Sequence, residues 1–261
     1  MTDVILDARL SLLLNDLKLP TMRKIYGKVA DEVSSNGGDF RAFLQALLEE
    51  ELKERRTRRI ARRIKDARFR QVKLLAELEE KSLPSGISME LLNELAAGGF
   101  MNNATNIIAI GNSGTGKTHV CTGLAVAACH RDKRVRTHTA AELASELASE
   151  LEAVQENHQL HRYLQRLAKW DLVFVDELGY LSIREHGADL LFQAFSERHE
   201  RGSVMITTNL PFSEWGQVFQ TVRLAVAMLD RMTHYATILE MNGESYRLRS
   251  AKKKRGKKSA K

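Results

Sequence analysis

Apolar residues recur at helical spacing through the first hundred positions and gather into short solid runs after residue 105. Ile5, Leu6, Leu10, Leu13 and Leu14 fall on one face of a helix with a 3.6-residue period. A second helical pattern runs from Thr21 to Val33 and meets the breaker SNGG at 35–38. From Phe40 to Glu80 the spacing stays helical, with Phe43, Leu44, Leu47 and Leu48 as one stripe. SLPSGIS at 82–88 reads as a connector, and no strand signal precedes it.

The period then changes. NIIAI at 106–110, RVRTH at 134–138, LVFVD at 172–176 and VMITTN at 204–209 read as short strands. ATILEM at 236–241 and SYRLR at 245–249 close the series. Helical segments separate most of them, which predicts a parallel sheet covered on both faces. Thr139 and Glu142 have the spacing of a capping box, and Leu143, Leu147, Leu151 and Val154 follow down one helix face.

Charge adds a second kind of information. The net charge is +7, but the last ten residues, KKKRGKKSAK, hold seven of the 40 basic residues and no acid. The other 251 residues balance at 33 against 33. The second concentration is at 53–73, where eleven Lys or Arg stand against Glu54 and Asp66. Within it Ile60, Ile64 and Ala67 mark a narrow apolar seam, leaving a wide cationic face suited to a phosphate backbone. Arg55, Arg58, Arg59, Arg62 and Arg63 are the candidate contacts, with a solvated face or an acidic partner as the bland alternative. Only Phe69 lies nearby, so base stacking on single strands is not favoured. The N-terminus has acids early and no signal-peptide pattern, and no apolar run reaches membrane-spanning length. Cys121 and Cys129, eight residues apart on one helix, stand too far apart to pair. A cytoplasmic protein outside the membrane is expected.

Candidate chemistry begins at 111–118, GNSGTGKT. Gly111, Asn112, Ser113, Gly114, Thr115, Gly116, Lys117 and Thr118 form a phosphate loop between a strand and a helix. The glycines let main-chain N–H groups face phosphate oxygens, Lys117 reaches the β- and γ-phosphates, and the Thr118 hydroxyl sits on Mg²⁺. Asp176 ends a buried apolar run, where it would orient the same Mg²⁺ through water. Glu177 follows as the candidate general base for the attacking water. Asn209, at the end of VMITTN, is placed to hold that water or sense the γ-phosphate, although NLP is also ordinary turn chemistry.

GNSGTGKTH, VDELGYL, ITTNLPFSEWGQVF, LDRM and GESYRLR together resemble the IstB-like helper ATPases of insertion-sequence transposition. These are relatives of the DnaC helicase loaders within the AAA+ initiator group. LKLPTMRKIYG and LLEEELKERRTRRIARRIKDARF extend the resemblance over nearly the whole chain. It implies an α/β fold: an AAA+ P-loop ATPase domain at 69–250, a small helical DNA-binding domain at 1–68, and a basic tail at 251–261. It further implies ATP with Mg²⁺ as cofactors and homo-oligomers on duplex DNA with little sequence preference. An IstA-type transposase is the implied partner, and strand cutting lies outside this chain. The alternative is a DnaC-like replicative helicase loader. By the resemblance Arg231 in LDRM acts across a subunit boundary, with Arg198 and Arg223 as competitors and Arg247 as a candidate sensor.

Overall fold

A computed structural model describes residues 2–152, 158–179, 185–219, 222–243 and 245–246. The chain divides into two units, Met1–Arg62 and Arg63–Lys261.

In the first unit, helix α1 (Thr2–Asp16) packs on α2 (Pro20–Ser35), and α3 begins at Phe40 and runs to Ala67. Pro20 opens α2 because a first-turn residue needs no N–H partner. The donors that do need partners find one far along the chain. Glu51, buried on α3, accepts from Thr21 N at 2.8 Å and Met22 N at 3.0 Å through Oε2. Its Oε1 accepts from Arg55 Nε at 2.8 Å and Arg58 Nη2 at 3.3 Å. Burial pulls this carboxyl upward, but the Arg55 bond and the two amides outweigh it and leave it below its usual 4.5. Among the described residues little covers the expected stripe on α1. Ile5, Leu6 and Leu13 are exposed, as are Leu44 and Leu48 on α3.

The expected helix over 40–80 stops early. Arg68 takes a left-handed backbone at φ 58°, which ends α3 after Ala67. Extended chain and two short 3₁₀ turns, 75–77 and 80–82, follow before α4 (Met89–Ala96) and α5 (Gly99–Asn102).

The second unit holds five parallel strands: β1 (Asn106–Ile110), β2 (Val135–Thr139), β3 (Leu172–Leu178), β4 (Ser203–Thr208) and β5 (Ala236–Glu240). Their spatial order is β2-β3-β4-β1-β5. Alternation along each strand feeds two cores. Ile107, Leu172, Phe174 and Met205 pack with α6 (Lys117–His130) and α4. Ile108, Val173, Val175, Val204 and Ile206 pack on the other face. That face is covered by α7 (Ala140–Glu152), α8 (His158–Ala168), α9 (Glu185–Arg198) and α10 (Val222–Thr233). Burial on both faces is why β1, β3 and β4 are largely apolar runs, while the edge strands β2 and β5 are more mixed. The capping box forms: Thr139 N donates to Glu142 Oε2 at 2.8 Å, and Glu142 N donates to Thr139 Oγ1 at 3.2 Å. Leu143 and Leu147 are fully buried below it, while the Leu151 and Val154 side chains lie outside the described residues. The expected strand at 245–249 also lies outside them, apart from Ser245 and Tyr246, neither of which is in a strand.

Arg198 closes the bottom of this unit. It is 1% exposed, and its guanidinium donates to the carbonyls of Leu167 at 2.6 Å, Trp170 at 2.9 Å and Ser203 at 3.0 Å. Burial pushes it down to about 10. Among the described residues no helix is long and apolar enough to cross a membrane.

Candidate nucleotide site

Strand order assembles the site. β4 lies between β3 and β1, so the carboxyl ends of these three neighbours present Asp176 and Glu177, then Thr207 to Asn209, then the glycine loop. Such a crevice is where open α/β sheets bind ligands.

The loop depends on its glycines at two close approaches. A Cβ on Gly111, at φ 148°, would stand 2.2 Å from Met241 O, and one on Gly114, at φ 83°, 2.2 Å from Ser245 Oγ. Tyr246 N also donates to Gly114 O at 2.9 Å, which binds the segment after β5 to the loop. Thr115 is buried and donates to Asn112 O at 2.9 Å, whereas Asn112 and Ser113 are exposed on the rim. Gly116 precedes Lys117, the first residue of α6, so the positive end of the helix dipole lies at the loop. Lys117 Nζ donates to the carbonyls of Gly111 and Asn112, each at 2.6 Å, which holds the ammonium against the loop.

The carboxylates sit opposite. Asp176 is 7% exposed, and its Oδ1 accepts from Thr118 Oγ1 at 3.0 Å and from Thr207 Oγ1. After Val175 the β3 register slips, and Glu177 adopts a left-handed backbone at φ 62°. This conformation is costly for a residue with a Cβ and clusters at functional sites. It turns the Glu177 side chain out to half exposure while Asp176 stays buried. Glu177 N donates to Thr207 Oγ1 at 3.0 Å, so one hydroxyl braces both acids. Sequence reading missed Thr207. Its signal was its place near the carboxyl end of β4, two residues before the Asn209 that follows the strand.

A cavity of about 320 Å³ joins Gly116, Lys117, Thr118, Glu177, Thr207 and Asn209. Among the described residues, Asn209 Oδ1 is buried there with no partner. The hard oxygens of Thr118 and Asp176 suit a small divalent cation such as Mg²⁺, and the glycine loop suits phosphate. A second cavity of about 180 Å³ adjoins Thr118, Asp176, Glu177, Glu142, Arg70 and Lys73. There Glu142 is held at about 2, first by the Thr139 N–H and then by Arg70, whose Nη2 donates to Glu142 Oε1 at 2.7 Å.

Other candidates lie apart. Arg231 lines neither cavity; it donates to Ser196 Oγ and lies 5.0 Å over the Phe192 ring. Arg198 is the buried brace described above, and Arg223 is exposed. Arg247 and the tail 251–261 lie outside the described residues. Arg55 and Arg58 hold Glu51, Arg63 Nε donates to Asp132 Oδ1 at 3.0 Å, and Arg59 and Arg62 are exposed.

Comparison with known proteins places the chain in a family. The IstB-like ATP binding protein family matches residues 12–254. An insertion sequence ATP-binding protein of Sinorhizobium fredii, y4iQ/y4nD/y4sD, is 35% identical over 97% of this chain and 85% of its own length. The IS21 ATP-binding protein of Pseudomonas aeruginosa is 34% identical over 94% and 90%. Among solved structures, a DNA replication initiation factor superposes with a TM-score of 0.50 at 20% identity, over 69% of this chain and 55% of its own. This last likeness is one of fold.

Proposed function

This chain belongs to the IstB-like ATP-binding protein family, and on that premise we propose that it hydrolyses ATP to control its assembly on duplex DNA. It is an ATP-binding protein of the insertion-sequence kind, with the parallel α/β fold of AAA+ P-loop domains. The observation that carries the hydrolytic reading is the Lys117, Thr118, Asp176 and Glu177 constellation tied together by Thr207.

ATP phosphates enter the glycine loop, and Lys117 leaves its carbonyl partners for the β- and γ-phosphates. Thr118 and Asp176 are the residues that would hold Mg²⁺, which would supply neutralisation of the charge developing on the phosphate oxygens. Glu177 takes a proton from water attacking the γ-phosphorus, and Asn209 supplies the unpartnered amide oxygen that orients that water. A cavity of about 90 Å³ walled by Leu78, Leu83, Val120 and Met241 is suited to the flat purine.

Arg231, outside the pocket of its own chain, serves the pocket of a neighbouring copy, so active sites exist only in the homo-oligomer. The division of labour follows the charge. Residues 1–68 grip DNA phosphates through Arg55, Arg58, Arg59, Arg62 and Arg63, 69–250 hydrolyse ATP, and 251–261 add nonspecific affinity. The assembly works in the cytoplasm and presents target DNA to an IstA-type transposase.

The test is steady-state phosphate release with parallel nucleotide binding. Lys117→Ala should lose ATP binding. Glu177→Gln should keep binding and lose turnover, because an amide cannot take the proton. Wild-type turnover in Glu177→Gln would sink the assignment.

A further inference from the structure

The cationic run at 53–73 does not end on a helix. Arg68 turns the chain out of α3, and Arg70, Gln71 and Lys73 enter the wall of the cavity that holds Thr118, Asp176 and Glu177. Arg70 Nη1 stands 3.8 Å from Glu177 Oε2, while its Nη2 is fixed on Glu142 Oε1 at 2.7 Å. Glu142 is itself fixed, since Oε2 accepts from Thr139 N, and Thr139 is the register partner of Asp176 across the sheet. One member of the cationic run is therefore clamped against the candidate general base from a rigid support.

The pair is also easily broken. The Arg70 side chain is 63% exposed and that of Glu177 46%, so water screens their attraction. A phosphodiester offers a guanidinium two acceptor oxygens in matching geometry. We propose that Arg70 is a positioning residue that holds Glu177 turned from the attacking water, and that phosphates of bound duplex DNA take the guanidinium and release it. This rests on Glu177 as the base and on the run as the DNA surface. The consequence is ATP hydrolysis stimulated by DNA through one side chain of the basic run.

The test uses the full chain, with phosphate release measured across ATP concentrations, with and without a random-sequence duplex. Arg70→Ala should raise the DNA-free kcat about two- to fivefold, the range an exposed pair can hold back. Its stimulation by DNA should fall close to unity, with the ATP KM unchanged. Arg70→Lys keeps the charge but cannot bridge two carboxylates, and should fall between. Glu142→Gln loosens the anchor without touching Glu177 and should shift the same way by less. It carries the test if Arg70→Ala fails to bind a fluorescent ATP analogue. Wild-type basal rate and wild-type stimulation in these variants would overturn the latch alone. So would a basal rate lowered in all of them, since Arg70 would then assist the reaction. A wild type with no turnover or no duplex affinity would instead overturn the proposed function, and this inference with it.

Discussion

Thr207→Val removes one oxygen from a fully buried place and nearly nothing else. Thr207 is 2% exposed, and valine keeps its branched shape in β4. Two bonds are lost: the donation to Asp176 Oδ1 and the acceptance from Glu177 N at 3.0 Å. A hydrogen bond to a charged group contributes about 1.5–3 kcal/mol, and a main-chain donor left unpaired costs about 1–3 kcal/mol. The losses share one oxygen and are not additive, so about 3 kcal/mol is a fair total. In melting temperature this is a fall on the order of 6–12 °C for a domain of this size. The kinetic part follows from the left-handed turn at Glu177, whose main-chain N–H loses its hydroxyl acceptor, so the turn holds the carboxylate less firmly in one place. If half of the total falls on the transition state, kcat drops roughly tenfold while KM for ATP barely moves. Phosphate release and calorimetry on wild type, Thr207→Val and Thr207→Ser provide the measurement, with serine recovering most of both. A valine variant within about twofold of wild-type kcat and within about 2 °C of its melting temperature, well short of the fall worked out above, would refute it.

Three further outcomes are expected. His138 is 3% exposed and sits below 6.5, chiefly from burial, with Glu146 only partly opposing. The unfolded chain therefore takes a proton that the fold refuses, and stability is full above pH 6.5 and declines below it. His138→Gln should flatten that decline by up to about 1.4 kcal/mol per pH unit in calorimetry, and an unchanged slope would remove His138 as its source. An Arg59→Ala, Arg62→Ala double variant leaves the bonds of Glu51 intact; it should lower the salt slope of duplex binding by about two and leave ATP binding alone. If only deletion of 251–261 changes the slope, the helix is not the DNA surface. Arg231→Ala and Lys117→Ala should each lack turnover and partly regain it when mixed, since each supplies what the other's pocket lacks; no recovery would count against a finger acting between subunits.

Local chemistry was legible where it is local. The glycine loop needs its residues in sequence order, and the solid apolar run before Asp176 needs only burial on two sides. What could not be read depends on separations the chain does not display. Thr207 became visible once β4 was seen to lie between β1 and β3, because only then does its hydroxyl face Asp176. The helix expected to reach Glu80 ends at Ala67, since one left-handed arginine overrides a continuing helical pattern. Arg198 read as a competitor of Arg231 for the role across a subunit boundary, because nothing nearby in sequence announces that carbonyls 27 to 31 residues earlier will converge on it. The α1 stripe has correct helical spacing, but the described residues supply little cover for it.

Arg198 also bears on how the molecule comes apart. Its carbonyl partners lie at the end of α8, before β3 and at the start of β4, so the clasp exists only after three separately folded pieces have met. Until then the guanidinium is better off in water, and a partly assembled sheet gains nothing from it. Interactions formed after the barrier leave the folding rate nearly untouched and set the rate of escape from the native state. Arg198→Met should therefore refold at nearly the wild-type speed yet unfold faster, which makes this buried cation a brake on the lifetime of the native domain.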